Sequence, residues 1–393
     1  MTIFSTVGIA QDLDPTQAAI KATDQALNLA GRHKVSLAII AASHDYPVRQ
    51  VVNGVAGLLS DTPLFGFSTP AQLTESGLNQ RSIVVALLVG DQFHALGSSW
   101  AESSENNHRS AAEMLASLCN TEADHQAMLV IAEGLNGNTD RFIQSIPDGI
   151  FPLGGCLAGG DISGGRTYQI GGSQYNHGGI AAASIYGNIK VGVGAAHGWE
   201  SIGVYSRISH SKELIIHTLD DRPAAETYSR LFGYNARDWS YPPLNHLVRI
   251  YPLGIETGDA GSTDSPSYEV RSPLRVETDG TLRMHSHIPA GKMAYLLVTS
   301  FENCIAAART AAERALEAIG DAEPVLAMIF ADIAWKMMLQ AQPGSEVQAV
   351  SDVLGNRVPI IGGYSFGQIG RSRSGSAELM NQHIQVVLFG RPK

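Results

Sequence analysis

The sequence predicts an α/β protein with mixed sheets and flanking helices, arranged in two lobes and built from one structural unit used three times. An eleven-residue block recurs without a gap at residues 63–73, 152–162 and 359–369. Each copy opens on proline and an aliphatic residue, has glycine fourth, and ends on an amide or carboxylate side chain followed by Leu or Ile. Helical and strand-like stretches surround each copy in one order. Internal repetition of this kind fixes the architecture.

Each copy predicts a helix, a strand, a second helix, the block and a closing strand. Apolar runs of branched residues are typical of buried strands, and longer amphipathic stretches of helices. Because the closing strand follows the block through a short loop, we expect antiparallel pairs beside parallel ones, and therefore mixed sheets. The predicted helices and strands are 16–30, 35–42, 48–59 and 83–89 in copy one, 110–119, 127–132, 139–145 and 179–186 in copy two, and 304–319, 325–331, 346–354 and 384–389 in copy three.

Residues 189–290 have no counterpart in the first copy. This region predicts short strands at 190–196 and 213–218, a helix at 224–232 and a turn-rich surface excursion at 257–267. We expect the link between the two lobes to lie within residues 220–245.

Composition narrows the class of protein. The chain has 393 residues, a formal net charge of -10 and only three cysteines, which are far apart. A nucleic-acid or anionic-membrane surface needs clustered Lys and Arg, so small molecules or proteins are the expected partners. The sequence shows no signal peptide, no stretch of about 20 apolar residues and no disulfide framework, which predicts a cytoplasmic protein without membrane insertion.

The block glycines Gly66, Gly155 and Gly362 have two interpretations. They line a ligand cleft at the strand ends, or they mark a bend that only glycine fits. Copies two and three favour a ligand, because small residues and polar tips often hold ligands in open sheets. Asp161 and Gln368 are expected at the same repeat position. The predicted ligand-binding residues are Gly155, Cys156, Gly160, Asp161, Arg275, Gly362, Tyr364, Ser365 and Gln368.

Two isolated histidines are alternative haem-iron ligands, since one imidazole nitrogen suffices for a proximal ligand. They are His177 in YNHGG and His197 in AAHGWESIG. A lone histidine is more often a hydrogen-bonded structural residue. Cys156 is either a thiolate ligand or redox sensor, or a small packed thiol.

The sequence contains no metal-binding, nucleotide-binding or catalytic motif, so catalysis has no positive support. Asp220 and Asp221 could act as acid and base, but a turn that caps the following helix explains them better.

Several segments together resemble the FIST family. They are VPIIGGYSFGQIG, LMNQHIQVVLFG, HGWESIG, ELIIHTLDDRPAAETYSRLFG and SPLRV. The resemblance covers residues 35–389 and implies an N-terminal FIST domain at 1–222 and a C-terminal one at 223–393. This sequence departs from the family pattern at Gln368, often acidic, and at residues 198–201, where GxxP reads GWES.

The resemblance implies an intracellular small-ligand sensor that regulates a signalling partner such as a histidine kinase. Proteins of this length in the family include haem-binding nitric-oxide sensors, so haem is the implied cofactor. A second copy of this chain, in a homodimer, is a further expected partner. The alternatives are an enzyme acting on a small metabolite through Cys156 or the Asp220 and Asp221 pair, and a scaffold that binds no ligand.

Overall fold

The computed structural model describes residues 3–59, 61–100, 108–119, 124–135, 139–149, 151–161, 165–241, 244–257, 267–372 and 374–393. The chain forms two compact units. Unit 1 consists of Met1–His197, Ile305–Leu379 and His383–Lys393, and unit 2 of Gly198–Cys304 and Met380–Gln382.

Unit 1 is built from three repeats of one pattern. Each has an edge strand, a helix, a second strand, a further helix, the strand that carries the block, a two-stranded hairpin and a closing strand. The first repeat comprises β1 Phe4–Ala10, α1 Pro15–Ala30, β2 Val35–Ser43, α2 Val48–Ala56, β3 Leu64–Thr69, β4 Gln72–Thr74, β5 Gly77–Asn79 and β6 Ile83–Val89. The second comprises β7 Phe93–Trp100, α3 His108–Cys119, β8 His125–Ala132, α4 Thr139–Gln144, β9 Leu153–Leu157, β10 Gln169–Gly172, β11 Gln174–Asn176 and β12 Ile180–Gly187.

The third repeat starts at β13, Lys190–Ala196, and is then interrupted by unit 2. Unit 2 contains β14 Glu200–Lys212, β15 Ile215–Leu219, β16 Arg222–Pro223, α5 Ala224–Arg230, α6 Leu244–Leu247, β17 Leu253–Thr257, β18 Ser267–Arg271, β19 Pro273–Val276, β20 Leu282–Met284 and β21 Met293–Val298, with short 3-10 turns at Asp238–Ser240 and Val248–Ile250. The third repeat then resumes with α7 Phe301–Ile319, β22 Glu323–Asp332, α8 Ile333–Met338, α9 Ser345–Leu354, β23 Ile360–Ser365, β24 Gln368–Arg371, β25 Ala377–Met380 and β26 Ile384–Arg391.

The α/β class, the mixed sheets and the helices and strands of the three copies are confirmed, with ends that differ by a few residues. Local sequence signals explain these elements. Helix α1, for example, starts with Pro15 in its first turn, and the Asp14 carboxylate accepts the N–H of Thr16 at 2.8 Å. Such a cap satisfies an N–H that has no partner inside the helix. The predicted excursion at 257–267 lies largely outside the described residues.

The repeats exchange strands in a cycle. In each six-stranded sheet the order is edge strand, closing strand, second strand, block strand and then the two strands of a hairpin. The hairpin always comes from another repeat. The block strands β3, β9 and β23 pair antiparallel with β10, β24 and β4, respectively. Each block strand runs parallel to the second strand of its own repeat. The three repeats therefore share their sheets and do not form three successive domains.

The faces of the three sheets share one apolar cluster. It includes residues from every repeat, such as Phe67, Ile131 and Phe330, all fully buried. The rings of Phe67 and Phe330 lie 5.2 Å apart between centroids. Helices α1 and α2 cover the other face of the first sheet in a second cluster. Among the described residues, no helix is both long and apolar enough to cross a membrane.

Unit 2 is an insertion in the third repeat. Its main segment follows the edge strand β13 and ends within the first turn of helix α7, whereas the first repeat has only residues 11–14 between β1 and α1. The chain enters unit 2 at Gly198 and leaves it at Cys304, whereas the sequence suggested a link within 220–245. The difference arises because the third repeat returns to pair with the first two, which no local signal in the sequence indicates.

Candidate functional site

The block glycines lie where the neighbouring parallel strand leaves no room for a side chain. A Cβ atom on Gly66 would lie 2.7 Å from the carbonyl oxygen of Ile40, and one on Gly155 only 1.8 Å from that of Val130. On Gly362 it would lie 2.2 Å from the carbonyl oxygen of Ile329. In each repeat the neighbour is the residue directly opposite on the second strand. Strand packing alone therefore accounts for glycine at this position.

The carboxyl ends of the block strands meet one another, and we call this region the block centre. The Gly159 N–H donates to the carbonyl of Ser68 at 2.9 Å, and the Ser68 hydroxyl donates to the carbonyl of Gly159 at 2.8 Å. The Thr69 hydroxyl donates to the carbonyl of Tyr364 at 3.0 Å. The Leu157 N–H donates to the carbonyl of Gly367 at 2.9 Å. All three repeats thus contribute backbone to one centre.

A buried glutamine stands at the first position of every hairpin. Its Oε1 accepts the N–H of the residue just before the closing strand. The three pairs are Gln72 with Ser82 at 3.2 Å, Gln169 with Gly179 at 3.0 Å and Gln368 with His383 at 3.0 Å. The expected equivalence of Asp161 with Gln368 is therefore wrong, and Gln169 takes that place.

The length of the connection explains the error. Gln72 follows Thr69 by three positions and Gln368 follows Ser365 by three, whereas Gln169 follows Ala158 by eleven. The second repeat carries a longer, glycine-rich connection, and an ungapped comparison of the blocks aligned its beginning with the hairpins of the others. Asp161 lies in this connection and is exposed.

The structure brings blocks two and three into contact. Cys156 on β9 lies opposite Gln368 on β24. Asp161 is exposed, and Arg275 lies in unit 2, where it pairs with the Glu277 carboxylate at 2.9 Å. The remaining predicted site residues of unit 1 are all buried, namely Gly155, Cys156, Gly160, Gly362, Tyr364, Ser365 and Gln368.

Cys156 has the environment of a packed thiol. Its side chain is fully buried in the apolar cluster shared by the three sheets. Burial raises the pKa of this thiol well above its usual value, so the neutral form persists. The thiolate is the form that binds metals and reacts with oxidants.

A buried carboxyl beside the Tyr364 hydroxyl was not found from the sequence. The Tyr364 hydroxyl donates to Oε1 of Glu346, while Oε2 has no hydrogen-bond partner. Burial raises the pKa of Glu346. It raises the pKa of Tyr364 well above its usual value. In the sequence Glu346 is an ordinary acidic residue in the first turn of a helix, and nothing there indicates that the side chain turns inward.

A second buried carboxylate, Glu133, organises the long connection of the second repeat. Glu133 follows β8 and is 3% exposed. Its Oε2 accepts the Thr167 hydroxyl at 2.6 Å, and its Oε1 accepts the N–H of Leu135 at 2.8 Å. The carbonyl of Thr167 in turn bonds Nδ1 of His177 at 3.0 Å. We call Glu133, Thr167 and His177 the Glu133 network.

Glu133 departs from strict repetition. Its backbone N–H donates to the carbonyl of Gly179, as Ser43 donates to Ser82 and Asp332 to His383. These equivalent positions hold a hydroxyl in the first repeat and a helix-capping carboxylate in the third, where Asp332 accepts the N–H of Ala334. Sequence reasoning missed Glu133 and Thr167, although the glycine-rich connection was a signal.

The two histidines predicted as iron ligands differ in their surroundings. Because a carbonyl oxygen only accepts hydrogen bonds, Nδ1 of His177 carries the proton, and in the neutral ring Nε2 has the free lone pair. His197 instead packs against the ring of His383, with centroids 4.8 Å apart. In the described part of the chain, no group of three or more His, Cys, Asp or Glu could hold a metal ion.

The acidic pair Asp220 and Asp221 forms the tight turn between β15 and β16. Both residues have positive φ, at 52° and 61°. Their side chains bond Arg207, through its N–H and its guanidinium, both at 2.8 Å. The predicted turn is confirmed, but the cap of α5 is wrong, because Pro223 precedes that helix and no side chain caps it.

Comparison with known proteins identifies the family. The FIST N domain family matches residues 36–222 and the FIST C domain family matches residues 224–371. These ranges together cover most of the chain, and the protein therefore belongs to the FIST family. FIST domains are generally small-ligand-binding sensor domains of signalling proteins. No curated protein matches the sequence significantly.

Solved structures resemble this chain only weakly. Cyanuric acid hydrolase is 8% identical over 100% of both chains, with a TM-score of 0.34. PurLQS from Thermotoga maritima is 9% identical over 100% of this chain and 73% of its own, with a TM-score of 0.24. T. maritima PurL complexed with ADP is 9% identical over 99% and 71%, with a TM-score of 0.24. Similarity at this level indicates neither the fold nor the activity of this chain.

Proposed function

We propose that this protein is a cytoplasmic sensor that binds its small ligand beside the Glu133 network and reports to a signalling partner such as a histidine kinase. The asymmetry of the repeats carries this proposal. The hairpins of the first and third repeats reach equivalent places in their sheets through short connections, so this strand pairing does not need the long glycine-rich connection of the second repeat. Loops that depart from a regular scaffold are where binding residues concentrate.

Different residues have different parts in this site. Asp161 and His177 contact the ligand, since Asp161 is exposed on the connection that the network fixes and His177 is an exposed member of the network, whereas Gly160 is buried next to Asp161. Glu133 and Thr167 are positioning residues, because their mutual hydrogen bond holds that segment. The buried residues Gly155, Cys156, Gly362, Tyr364, Ser365 and Gln368 form the wall behind it.

We propose haem as the ligand, with His177 in preference to His197 as the iron ligand. The donor chemistry of His177 fits, because a hydrogen bond from Nδ1 to a carbonyl fixes the ring and leaves Nε2 for a metal, as second-shell partners of ligating histidines do. Bound haem would supply a binding position for a diatomic gas such as nitric oxide.

A thermal-shift series tests the sensor, with haemin, amino acids and nucleotides as probes. A ligand that binds only the folded state stabilises it by RT ln(1 + [L]/Kd), so the melting temperature rises as the ligand concentration increases above Kd. We expect one probe to raise it in the wild type and to lose this effect in His177→Ala. Gln80→Ala is the matched control, because Gln80 occupies the position of His177 in the first repeat. If no probe shifts the wild type, the sensor proposal fails.

An absorption spectrum tests haem separately. Protein from haem-supplemented cells should show a Soret band that His177→Ala loses and His197→Ala keeps. A colourless wild type that takes up no haemin overturns the haem proposal. The sensor proposal then depends on the thermal shifts with the other probes. A band lost only in His197→Ala overturns the choice of ligand.

We further propose binding without turnover. Incubation with metabolite pools should yield no product, and Cys156→Ala should behave as the wild type. Steady conversion that Cys156→Ala abolishes would establish the enzyme instead.

A further inference from the structure

Three tyrosines form a continuous row across four neighbouring strands of unit 2. Tyr205 on β14 lies opposite Tyr295 on β21, and their ring centroids are 5.4 Å apart. Tyr295 lies 5.1 Å from Tyr268 on β18. The rings are tilted by 49° and 54° against one another. We call Tyr205, Tyr295 and Tyr268 the tyrosine row.

The tyrosine row is accessible. Tyr205 is 57% exposed, and Ile202 on the same strand is 51% exposed. Tyr295 and Tyr268 are half-buried. Scattered exposed apolar residues are normal, but adjacent large ones mark interaction sites. One exposed ring beside two partly exposed rings makes an aromatic surface of a size that suits a partner.

One carboxylate beside the row gives it a charge preference. Glu256 on β17 is exposed and accepts the Tyr295 hydroxyl at 3.3 Å. Desolvation and the neighbouring Glu256 carboxylate raise the pKa of Tyr295, so its hydroxyl remains a donor. Glu256 lies opposite Tyr268 in the sheet. No Lys or Arg pairs with Glu256 among the salt bridges of the described residues, so its charge is available to a cation.

We propose that the tyrosine row binds a proline-rich, extended protein segment that carries an arginine or lysine. The two distances between neighbouring ring centroids together span roughly one turn of a polyproline II helix, which rises about 9 Å over three residues. Aromatic surfaces are the usual binding sites of such segments, which lose little entropy on binding because they are already extended. The basic side chain meets Glu256 and the ring faces, which attract cations. The proposal does not depend on the ligand proposed for unit 1.

Titration of the full chain with synthetic peptides tests this surface. The probe is a polyproline peptide with one arginine, compared with the same peptide carrying glutamate and with a glycine-serine peptide carrying the arginine. We expect only the first to bind well. Tyr205→Ala and Tyr268→Ala should each weaken its binding about tenfold, as removal of an aromatic anchor does. Glu256→Gln should weaken the arginine peptide selectively.

Tyr234→Ala and Tyr241→Ala are matched controls, because both tyrosines are about as exposed as Tyr205 and lie outside the row, at 51% and 53%. Circular dichroism verifies that every variant is folded. The proposal is overturned if the arginine peptide does not bind the wild type. It is also overturned if the row variants bind as the controls do, or if the glycine-serine peptide binds equally.

Discussion

Ser68 and Gly159 exchange two hydrogen bonds, one between their backbones at 2.9 Å and one from the Ser68 hydroxyl at 2.8 Å. Ser68 belongs to the block strand of the first repeat and Gly159 to the connection of the second. The same Ser68 hydroxyl accepts the N–H of Tyr168 at 3.0 Å. One side chain thus fixes both ends of the long connection that the proposed ligand site uses.

Replacement of the block glycines by alanine should destabilise the protein in a fixed order. A new Cβ meets a carbonyl oxygen at 1.8 Å in Gly155→Ala, 2.2 Å in Gly362→Ala and 2.7 Å in Gly66→Ala. We expect losses in the free energy of unfolding of about 2–4 kcal/mol, largest at Gly155, because a packed core resists extra volume. Urea denaturation measures them. A negligible loss at Gly155 would contradict the close approach of β8 and β9.

Gln169→Leu and Gln368→Leu should cost similar amounts, about 1–3 kcal/mol each, because each removes a buried amide oxygen that accepts a backbone N–H. These N–H groups belong to Gly179 and His383. Asp161→Leu is the control, and we expect less than about 0.5 kcal/mol at this exposed position. Denaturation midpoints measure these losses of stability. If Asp161→Leu proved as costly as Gln368→Leu, the assigned repeat register would be incorrect.

The buried Glu346 should make stability fall with rising pH. Its folded-state pKa is raised above the unfolded value, so the folded protein binds more protons. This contribution is fully present below the unfolded pKa of about 4.3 and is lost as the pH rises through the folded pKa. Glu346→Gln removes the titrating carboxyl. The free energy of unfolding of this variant should therefore fall less than that of the wild type between pH 5 and pH 8.

Glu226→Gln controls for the loss of one carboxylate, because Glu226 is about half exposed in its pair with Arg230. This control should keep the pH dependence of the wild type. Equal pH dependence in Glu346→Gln and the wild type would show that Glu346 does not titrate with a raised pKa.

The thiols of Cys156 and Cys304 should not react in the folded protein, since both are buried. In a Cys119→Ser background, a thiol reagent at pH 8 should label neither until denaturant is added. The raised pKa of Cys156 strengthens this expectation, because only the thiolate attacks. Rapid labelling of native protein, absent in the Cys156→Ala variant, would instead make Cys156 a reactive centre.

Much of the fold could be predicted because its signals are local. The repeated block, the apolar runs of β2, β8 and β22 and the helices between them are readable in short windows of sequence. The candidate site was predicted only in part. Blocks two and three were expected to supply most of the ligand-binding residues, but Glu133 and Thr167 were missed because they are joined by a hydrogen bond between residues 34 positions apart.

The sequence by itself determined that one unit occurs three times, that its strands build mixed sheets and that the chain resembles the FIST family. Only the tertiary structure decided which hairpin pairs with which block strand, that unit 2 interrupts the third repeat, and that Gln169 is the equivalent of Gln368. Hydrogen bonds and close packing between distant segments fix these choices. Such contacts depend on the complete fold, so no window of sequence contains them.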